Sequence, residues 1–450
     1  MEIVIESSKA VKPADNSGGH VWAADVVLLT AFDELQHDEY MSSIHAFHPP
    51  APSNTILEAG LATALAEHRE WAGRLGVDHS TGRRAMFLND AGARFVEAKA
   101  EFPLATIMPL LPGTPVVQRL HPSCDNNGAE ELMLVQVTRF SCGSFVVGHA
   151  MHHSVGDGIA MVHCLLAWGQ ATRGIAIEPV PVHDRNSFFI PRNPLRIEFQ
   201  HWGTEFRAQD ERNNMLCSGD DDARNDDEVV THKVSFSKEF ISDLKSRVCE
   251  GMPRPYTMVQ CLAAHLWRCV TKARGLPSGV ATSLHIAVNG RARMRQPQVP
   301  QGYTGNVLLW AHPSATAREL LAGALGHVSE LIRREVARIE DAYFRSFIDF
   351  VSSGAVKQEG LVSMADTAEC QDCAVYCIQR IPFYELDFGG GQQFLYMPNY
   401  HPVDGLIYIL PSSPLGDGSV EAQVSLPSHV MDAFKDCCYT LAVPYIQSNI

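Results

Sequence analysis

Apolar positions along this chain alternate between two spacings, and the changes of spacing mark out its elements. Ile3-Val4-Ile5 opens as a short strand-like run. From Thr55 to Leu65 (Thr-Ile-Leu-Glu-Ala-Gly-Leu-Ala-Thr-Ala-Leu) the apolar residues fall at helical spacing, and the pattern closes near Trp71-Ala-Gly-Arg-Leu75. Two β-prone runs follow, Leu132 to Phe140 and Ser144 to His152. Ser141-Cys142-Gly143 separates them, which predicts an antiparallel hairpin. The second run leads directly into Met151-His152-His153-Ser154-Val155-Gly156-Asp157-Gly158, and Ile159 to Gln170 is again apolar at helical spacing. His153 is therefore expected where a strand ends and a helix begins.

Beyond this helix the pattern is lost. Pro179, Pro181, Pro191 and Pro194 punctuate a non-periodic stretch, and the acidic cluster from Asp220 to Glu228 reads as solvated. Periodicity resumes with a strand at Val229 to Phe236, helices through Glu239 to Val248 and Thr257 to Thr271, and a strand at Leu284 to Val288 ahead of Asn289-Gly-Arg-Ala-Arg293. At 450 residues the chain exceeds what one core usually organises. The expected organisation is an N-terminal lobe over 1–185, a crossover with an acidic loop over 186–228 and a C-terminal lobe over 229–450. No short-period repeat marks a solenoid.

Composition narrows the function classes. Apolar residues make up 46% and charged residues 19%, ordinary globular usage. Lys plus Arg number 36 against 51 Asp plus Glu, a formal charge of −15, which argues against nucleic acid and anionic membrane surfaces as partners. There is no signal-like start and no run long enough to span a membrane, so a soluble, cytoplasmic protein is expected. The twelve cysteines are scattered and expected to be reduced. Cys370-Gln-Asp-Cys373 lacks a partner pair. His149, His152 and His153 lack a second ligand group at metal spacing, so no metal is expected.

His153 is the candidate base. Acyl transfer from a thioester to an amine or alcohol requires a group that takes the nucleophile's proton, and imidazole titrates near neutrality. A thioester is already activated, so no covalent intermediate and no nucleophile elbow are required. Asp157 could orient the imidazole or turn away and lock the turn, and Gly156 and Gly158 favour the second role by permitting a tight bend. Arg291 and Arg293 are candidate ion-pair partners for it. On its own, His-x-x-x-Asp-Gly among twenty histidines arises by chance in roughly one such chain in fifteen, so the motif needs company. A histidine hydrogen-bonded at a strand end is the plain alternative.

That company is present. The chain resembles the BAHD family of acyl-CoA-dependent acyltransferases, whose hallmarks are His-x-x-x-Asp-Gly mid-chain and Asp-Phe-Gly-Trp-Gly near the C-terminus. They appear here as His153 to Gly158 and Asp387 to Gly391. Ala72-Gly-Arg-Leu75, His183-Asp-Arg185, His265-Leu-Trp-Arg268, Asn289 to Arg293 and Gly302-Tyr-Thr-Gly-Asn306 extend the likeness along the chain. The resemblance implies an α/β fold of two similar lobes of mixed sheet plus helices, like chloramphenicol acetyltransferase, with a channel between the lobes. It also implies direct attack of the acceptor on the CoA thioester, a structural Asp157, and an Asp387 loop (with Gly389 and Gly391) remote from the chemistry. Three departures stand out. The loop tryptophan is Gly390, which is expected to loosen the loop, and Asn289 replaces an aspartate. Tyr376-Cys377-Ile378 replaces Thr-Ser-Trp, so the Tyr376 hydroxyl becomes the candidate oxyanion donor and its ring a candidate acceptor wall, with Ile378 and Glu385 in the same pocket.

The wording of Glu2 to Pro13, Glu70 to Arg74 and the Asp387 loop is similar to the grass group that acylates agmatine, putrescine, tryptamine or tyramine. The resemblance thus implies a hydroxycinnamoyl or benzoyl N-acyltransferase with acyl-CoA as co-substrate, no permanently bound cofactor, and a monomeric state. Glu385 and Asp372 are candidates for a second cationic end of the acceptor. Thr257, at a helix start, is a candidate for a CoA phosphate or a plain N-cap. The alternatives are an O-acyltransferase, a condensation-type domain fed by a carrier protein, and a catalytically silent binder on the same fold.

Overall fold

The predicted hairpin forms as strands Met133–Phe140 and Phe145–His152 in the computed structural model, which describes residues 2–15, 25–36, 38–123, 130–208, 228–364, 371–398, 402–410 and 417–441. Both strands are buried on both faces almost throughout, which explains why their sequences read as continuous apolar runs. They lie in the middle of a six-stranded mixed sheet whose order is Ile3–Val11, Ala93–Ala100, Met133–Phe140, Phe145–His152, Tyr40–Phe47 and Leu395–Pro398. The one parallel pairing joins Ala93–Ala100 to Met133–Phe140. The edge strand Ile3–Val11 leaves most of its residues exposed.

Helices Asn54–Glu67 and Gly158–Thr172 back this sheet, tied where the Trp168 indole N–H donates to the Leu57 carbonyl at 2.7 Å. Trp168 packs edge-on against Phe388, 4.7 Å between centroids, and Phe388 in turn meets Phe47 and Phe145. The chain divides into two compact units, and these contacts explain a division that is not contiguous in sequence. The first unit is Met1–Phe189, Pro297–Val307 and Ile381–Tyr400; the second is Ile190–Gln296, Leu308–Arg380 and His401–Ile450. The Asp387 loop, placed with the C-terminal lobe by a boundary at 229, belongs to the first unit. The reason is apolar: Phe388 completes the core beneath Trp168.

The second unit is built on a sheet of order Val229–Phe236, Val420–Pro427, Leu406–Ile409, Cys373–Cys377, Ala281–Asn289 and Leu308–Ala311, with Ser314–Thr316 also pairing to Ala281–Asn289. Its centre is parallel. Helix Met258–Ala273 is held to Ser428–Cys438 by His265 Nε2, 2.6 Å from the Cys438 carbonyl. The acidic cluster, apart from Glu228, and Cys370 lie outside the described residues. The nine described cysteines are free thiols. Among the described residues no helix is long and apolar enough to cross a membrane, and no group of three or more His, Cys, Asp or Glu could hold a metal ion.

Several histidines are sealed inside these cores. Burial pushes His45 and His68 down to about 4, and His149 well below its ordinary value. A group held neutral in the fold but protonated in the open chain stabilises fully above its unfolded value, near 6.5, and loses that contribution as pH falls toward the folded value. Each of His45 and His68 is worth up to about 3 kcal/mol of acid destabilisation. The melting temperature is therefore expected to fall steeply between pH 6.5 and about 4 and to change little above pH 7. A melting temperature that held level down to pH 4.5 would contradict it.

Candidate functional site

The strand Phe145–His152 ends where its neighbour runs out, at the Tyr40↔His152 pair. One further main-chain bond, from His153 N–H to the Glu39 carbonyl at 2.9 Å, carries the chain past the sheet edge. The turn then closes with Val155 N–H on the His152 carbonyl, 3.1 Å, and helix Gly158–Thr172 begins. The adjacent histidines part at this point. His152 is folded into the turn: its Nδ1 accepts from Ser154 N–H at 3.3 Å, and its Nε2 lies 4.0 Å from Asp38. Burial lowers its pKa to about 4, with Asp38 opposing, so it stays neutral and serves the turn. His153 is half-buried, and its Nδ1 has no hydrogen-bond partner among the described residues.

Asp157 is the N-cap of the helix. One carboxylate oxygen accepts from Ile159 and Ala160 N–H at 3.2 and 3.0 Å, and the other from Val307 N–H at 3.2 Å. These bonds satisfy donors that a helix start leaves open. Replacing Asp157 with alanine removes a cap and orphans the buried Val307 N–H, an expected loss of about 2–4 kcal/mol. Chemical denaturation measures it, and the fraction that remains folded should keep more turnover than His153→Ala. Equal turnover in the two folded variants would refute that division.

Behind the turn lies a buried polar network centred on Asp33, a residue that none of the sequence motifs includes. Asp33 is fully buried at the third position of the short helix Ala31–Leu35, in a capping box with Thr30. One of its oxygens accepts from Thr30 N–H and Oγ1 at 3.0 and 2.9 Å and from Arg185 at 2.9 Å. The other accepts from the Asn306 main-chain and side-chain N–H groups at 3.1 and 2.9 Å. Asn306 Nδ2 also donates to the His153 carbonyl at 2.8 Å, and Arg185 donates to the Val155 carbonyl at 2.6 Å. Residues from near 33, 185 and 306 thus converge on the main chain of the turn. The only sequence signal for Asp33 is Thr30-x-x-Asp33, a common helix-start pattern.

The Asp387 loop lies in the same unit. Asp387 Oδ1 accepts from Gly389 and Gly391 N–H at 2.7 and 3.0 Å, and its other oxygen pairs with Arg173 at 3.3 Å. Gly389 and Gly391 both adopt φ near +103°, where a side chain is strained. Gly390 was expected to loosen this loop; instead it lets the loop close on Pro50, since an added Cβ would stand 2.1 Å from the Pro50 carbonyl oxygen. Gly390→Trp is accordingly expected to lower the melting temperature rather than raise it, by scanning calorimetry.

The remaining predicted residues are placed as follows. Glu385 is exposed, in the turn Phe383–Glu385. In the second unit, Tyr376 sits half-buried on Cys373–Cys377, its ring 5.6 Å from that of Tyr408. Ile378 follows that strand, with its N–H on the Ile409 carbonyl at 3.1 Å. Arg291 is buried in the turn Gly290–Ala292, and Arg293 ends that turn half-buried. Thr257 caps Met258–Ala273 in a reciprocal box with Gln260, at 3.2 and 2.9 Å. Asp372 is buried, and its Oδ1 accepts from Ser283 N–H at 2.7 Å.

A family model described as the Transferase family matches residues 1–441. Agmatine hydroxycinnamoyltransferase 1 of Oryza sativa subsp. japonica is 57% identical over 98% of this chain and 99% of its own length. Agmatine coumaroyltransferase-1 of Hordeum vulgare is 56% identical over 98% of this chain and all of its own. The crystal structure of F. graminearum TRI101 complexed with coenzyme A and T-2 mycotoxin superposes with a TM-score of 0.73 at 16% identity, covering 92% of this chain and 97% of that one, which establishes a shared fold. With the hallmark turn formed at His153 and a family match across nearly its whole length, this chain belongs to the Transferase family, the BAHD acyltransferases.

Proposed function

We propose that this chain transfers a hydroxycinnamoyl or benzoyl group from a CoA thioester to a primary amine, with agmatine as the foremost acceptor. The observation that carries the reading is the contrast at the doubled histidine: His152 is spent on the turn, while His153 is held by its main chain with its imidazole left for chemistry. The full-length likeness to two enzymes named for agmatine supports the acceptor.

An alkylammonium group cannot attack until it loses a proton. The bound ammonium first releases one proton to solvent, and in the proposed reaction His153 takes a second from the neutral amine as nitrogen bonds to the thioester carbonyl carbon. The C–S bond then breaks, and the imidazolium returns the proton to the departing CoA sulfur. The Tyr376 hydroxyl donates to the carbonyl oxygen as it gains charge, and Ile378 forms part of the acceptor wall. The exposed carboxylate of Glu385 attracts the distal guanidinium of agmatine. Asp157 caps its helix, Thr257 contacts a CoA phosphate at its helix N-terminus, and the protein acts as a cytoplasmic monomer.

The test is a matrix of purified protein with p-coumaroyl-CoA and benzoyl-CoA against agmatine, putrescine, tryptamine, tyramine and an alcohol acceptor, read by thiol release and product mass. Amide products formed fastest from agmatine are expected. Ester products alone would make it an O-acyltransferase, and CoA binding without thiol release would make it a silent binder.

A further inference from the structure

Helices Met258–Ala273 and Ser428–Cys438 of the second unit meet through sulfur as well as through His265. Cys269 Sγ lies 3.7 Å from the Cys437 carbonyl oxygen, and Cys437 Sγ lies 3.7 Å from the Cys269 carbonyl oxygen. This reciprocal crossing turns each Cβ–Sγ bond toward the other residue, the arrangement in which two cysteines can join with little backbone movement. The acyl-transfer reading uses neither thiol. A buried cysteine is ordinarily a small apolar filler, but two further features set this pair apart.

The first is an unequal sharing of protons. The hydrogen bond between the two thiols is the largest influence on both. It holds Cys269 well above the ordinary thiol range and brings Cys437 down to about 7, against burial and with help from Lys272. Near neutrality Cys437 is therefore the thiolate of the pair, the form that acts as a nucleophile, and Cys269 is the thiol. The adjacent Cys438 stays protonated: burial pushes it up to about 11.

The second feature is a base beside the thiol. His265 and Cys269 are four residues apart on one helix and share a face. His265 Nε2 lies 2.6 Å from the Cys438 carbonyl, which can only accept, so Nε2 carries the proton. In the neutral ring this leaves Nδ1 as the basic nitrogen, 4.0 Å from Cys269 Sγ.

We propose that Cys269 and Cys437 form an oxidation site, converted by hydrogen peroxide into a disulfide that fastens the two helices together. The Cys437 sulfur attacks a peroxide oxygen, the O–O bond breaks, and the departing hydroxide takes a proton from solvent to become water. The Cys269 sulfur then attacks the sulfenic sulfur of Cys437. An S–S bond forms as the S–O bond breaks, and the Cys269 proton passes through His265 Nδ1 to the departing hydroxide, giving a second water. The two thiols lose two electrons, and the peroxide gains them. Cys269 and Cys437 are 4% and 7% exposed, which favours an oxidant as small as peroxide over a bulky disulfide. Cys437 also lies in the last turn of its helix, where helices fray. The site is separate from the acyl-transfer reading and stands if that reading fails.

The test treats the reduced full chain with an equimolar dose of peroxide at neutral pH, alkylates the remaining thiols, and maps the peptides by mass. A cross-linked peptide pair joining Cys269 to Cys437 is expected, about 2 Da below the sum of the two thiol peptides and released by dithiothreitol. In Cys269→Ser, where the hydroxyl still donates to Cys437, the sulfenic acid has lost its resolving thiol. Dimedone should then label Cys437 about tenfold or more faster than Cys438. In Cys437→Ser, neither the cross-link nor a dimedone adduct at Cys269 is expected. Should either variant melt early, the map of the parent protein decides. Cys437 left fully alkylatable at a dose that oxidises other cysteines, or a first cross-link that joins a different pair, would overturn the proposal.

Discussion

Replacing His153 with alanine is expected to lower turnover by about 100-fold or more while leaving stability close to that of the parent protein. Both halves of this expectation follow from how the residue is held. Its main-chain N–H and carbonyl are bound, to Glu39 and Asn306, and alanine keeps both bonds. Its imidazole Nδ1 makes no hydrogen bond among the described residues, and the ring is only half-buried, so truncation leaves no orphaned partner and a modest cavity. What disappears is the group proposed to take the proton. Thiol release under saturating acyl-CoA and amine, beside a denaturant melt, measures the two halves separately. A variant that kept a tenth or more of parent turnover would end the general-base assignment. His152→Ala provides the contrast, since that ring accepts from Ser154 N–H and its loss should act on the turn.

Asp33→Ala is expected to destabilise the fold by about 3–5 kcal/mol, more than loss of the Asp157 cap. The Asp33 and Arg185 side chains are 0% and 2% exposed, and their contact is 2.9 Å. Removing the carboxylate leaves the guanidinium with two main-chain carbonyls as its hydrogen-bond acceptors among the described residues and the buried Glu70 as a charge that acts on it without a hydrogen bond, and it strips the acceptor from Thr30 and both Asn306 N–H groups. A buried charge that loses its partner costs more than the pair was worth. The double variant Asp33→Ala/Arg185→Met should therefore recover part of the loss, which a double-mutant cycle in urea would read. A cost below about 1 kcal/mol for Asp33→Ala would show that the network does not support the turn. Asn306→Ala adds a functional readout, because it frees the His153 carbonyl. A fall in kcat with KM little changed is expected if the network positions the imidazole.

Much of the fold was legible because it rests on local periodicity. The hairpin, the helix after His153, the strand Val229–Phe236 and the helices Lys238–Val248 and Met258–Ala273 formed within a few residues of their expected bounds. Strand Tyr40–Phe47 escaped notice: its Ser43, His45 and adjoining polar residues break the apolar pattern. Inside the fold those groups satisfy one another, Ser43 Oγ lying 3.1 Å from His149 Nε2. The Gly390 expectation failed for a related reason. A lone glycine reads as added freedom, whereas here it marks the approach of the Pro50 carbonyl from a segment some 340 positions earlier.

The linear order of residues was enough to establish the family, the two hallmark motifs and the position of His153 at a strand-to-helix junction, because each depends on residues that are neighbours along the chain. Folding in three dimensions decided that His152, of the paired histidines, is hydrogen-bonded into the turn, that the Asp387 loop joins the first unit, and that Asp33, Arg185 and Asn306 meet behind the turn. Those outcomes depend on which hydrogen-bond donors and acceptors are brought together once water is excluded, and pairing of that kind has no period to read in the chain.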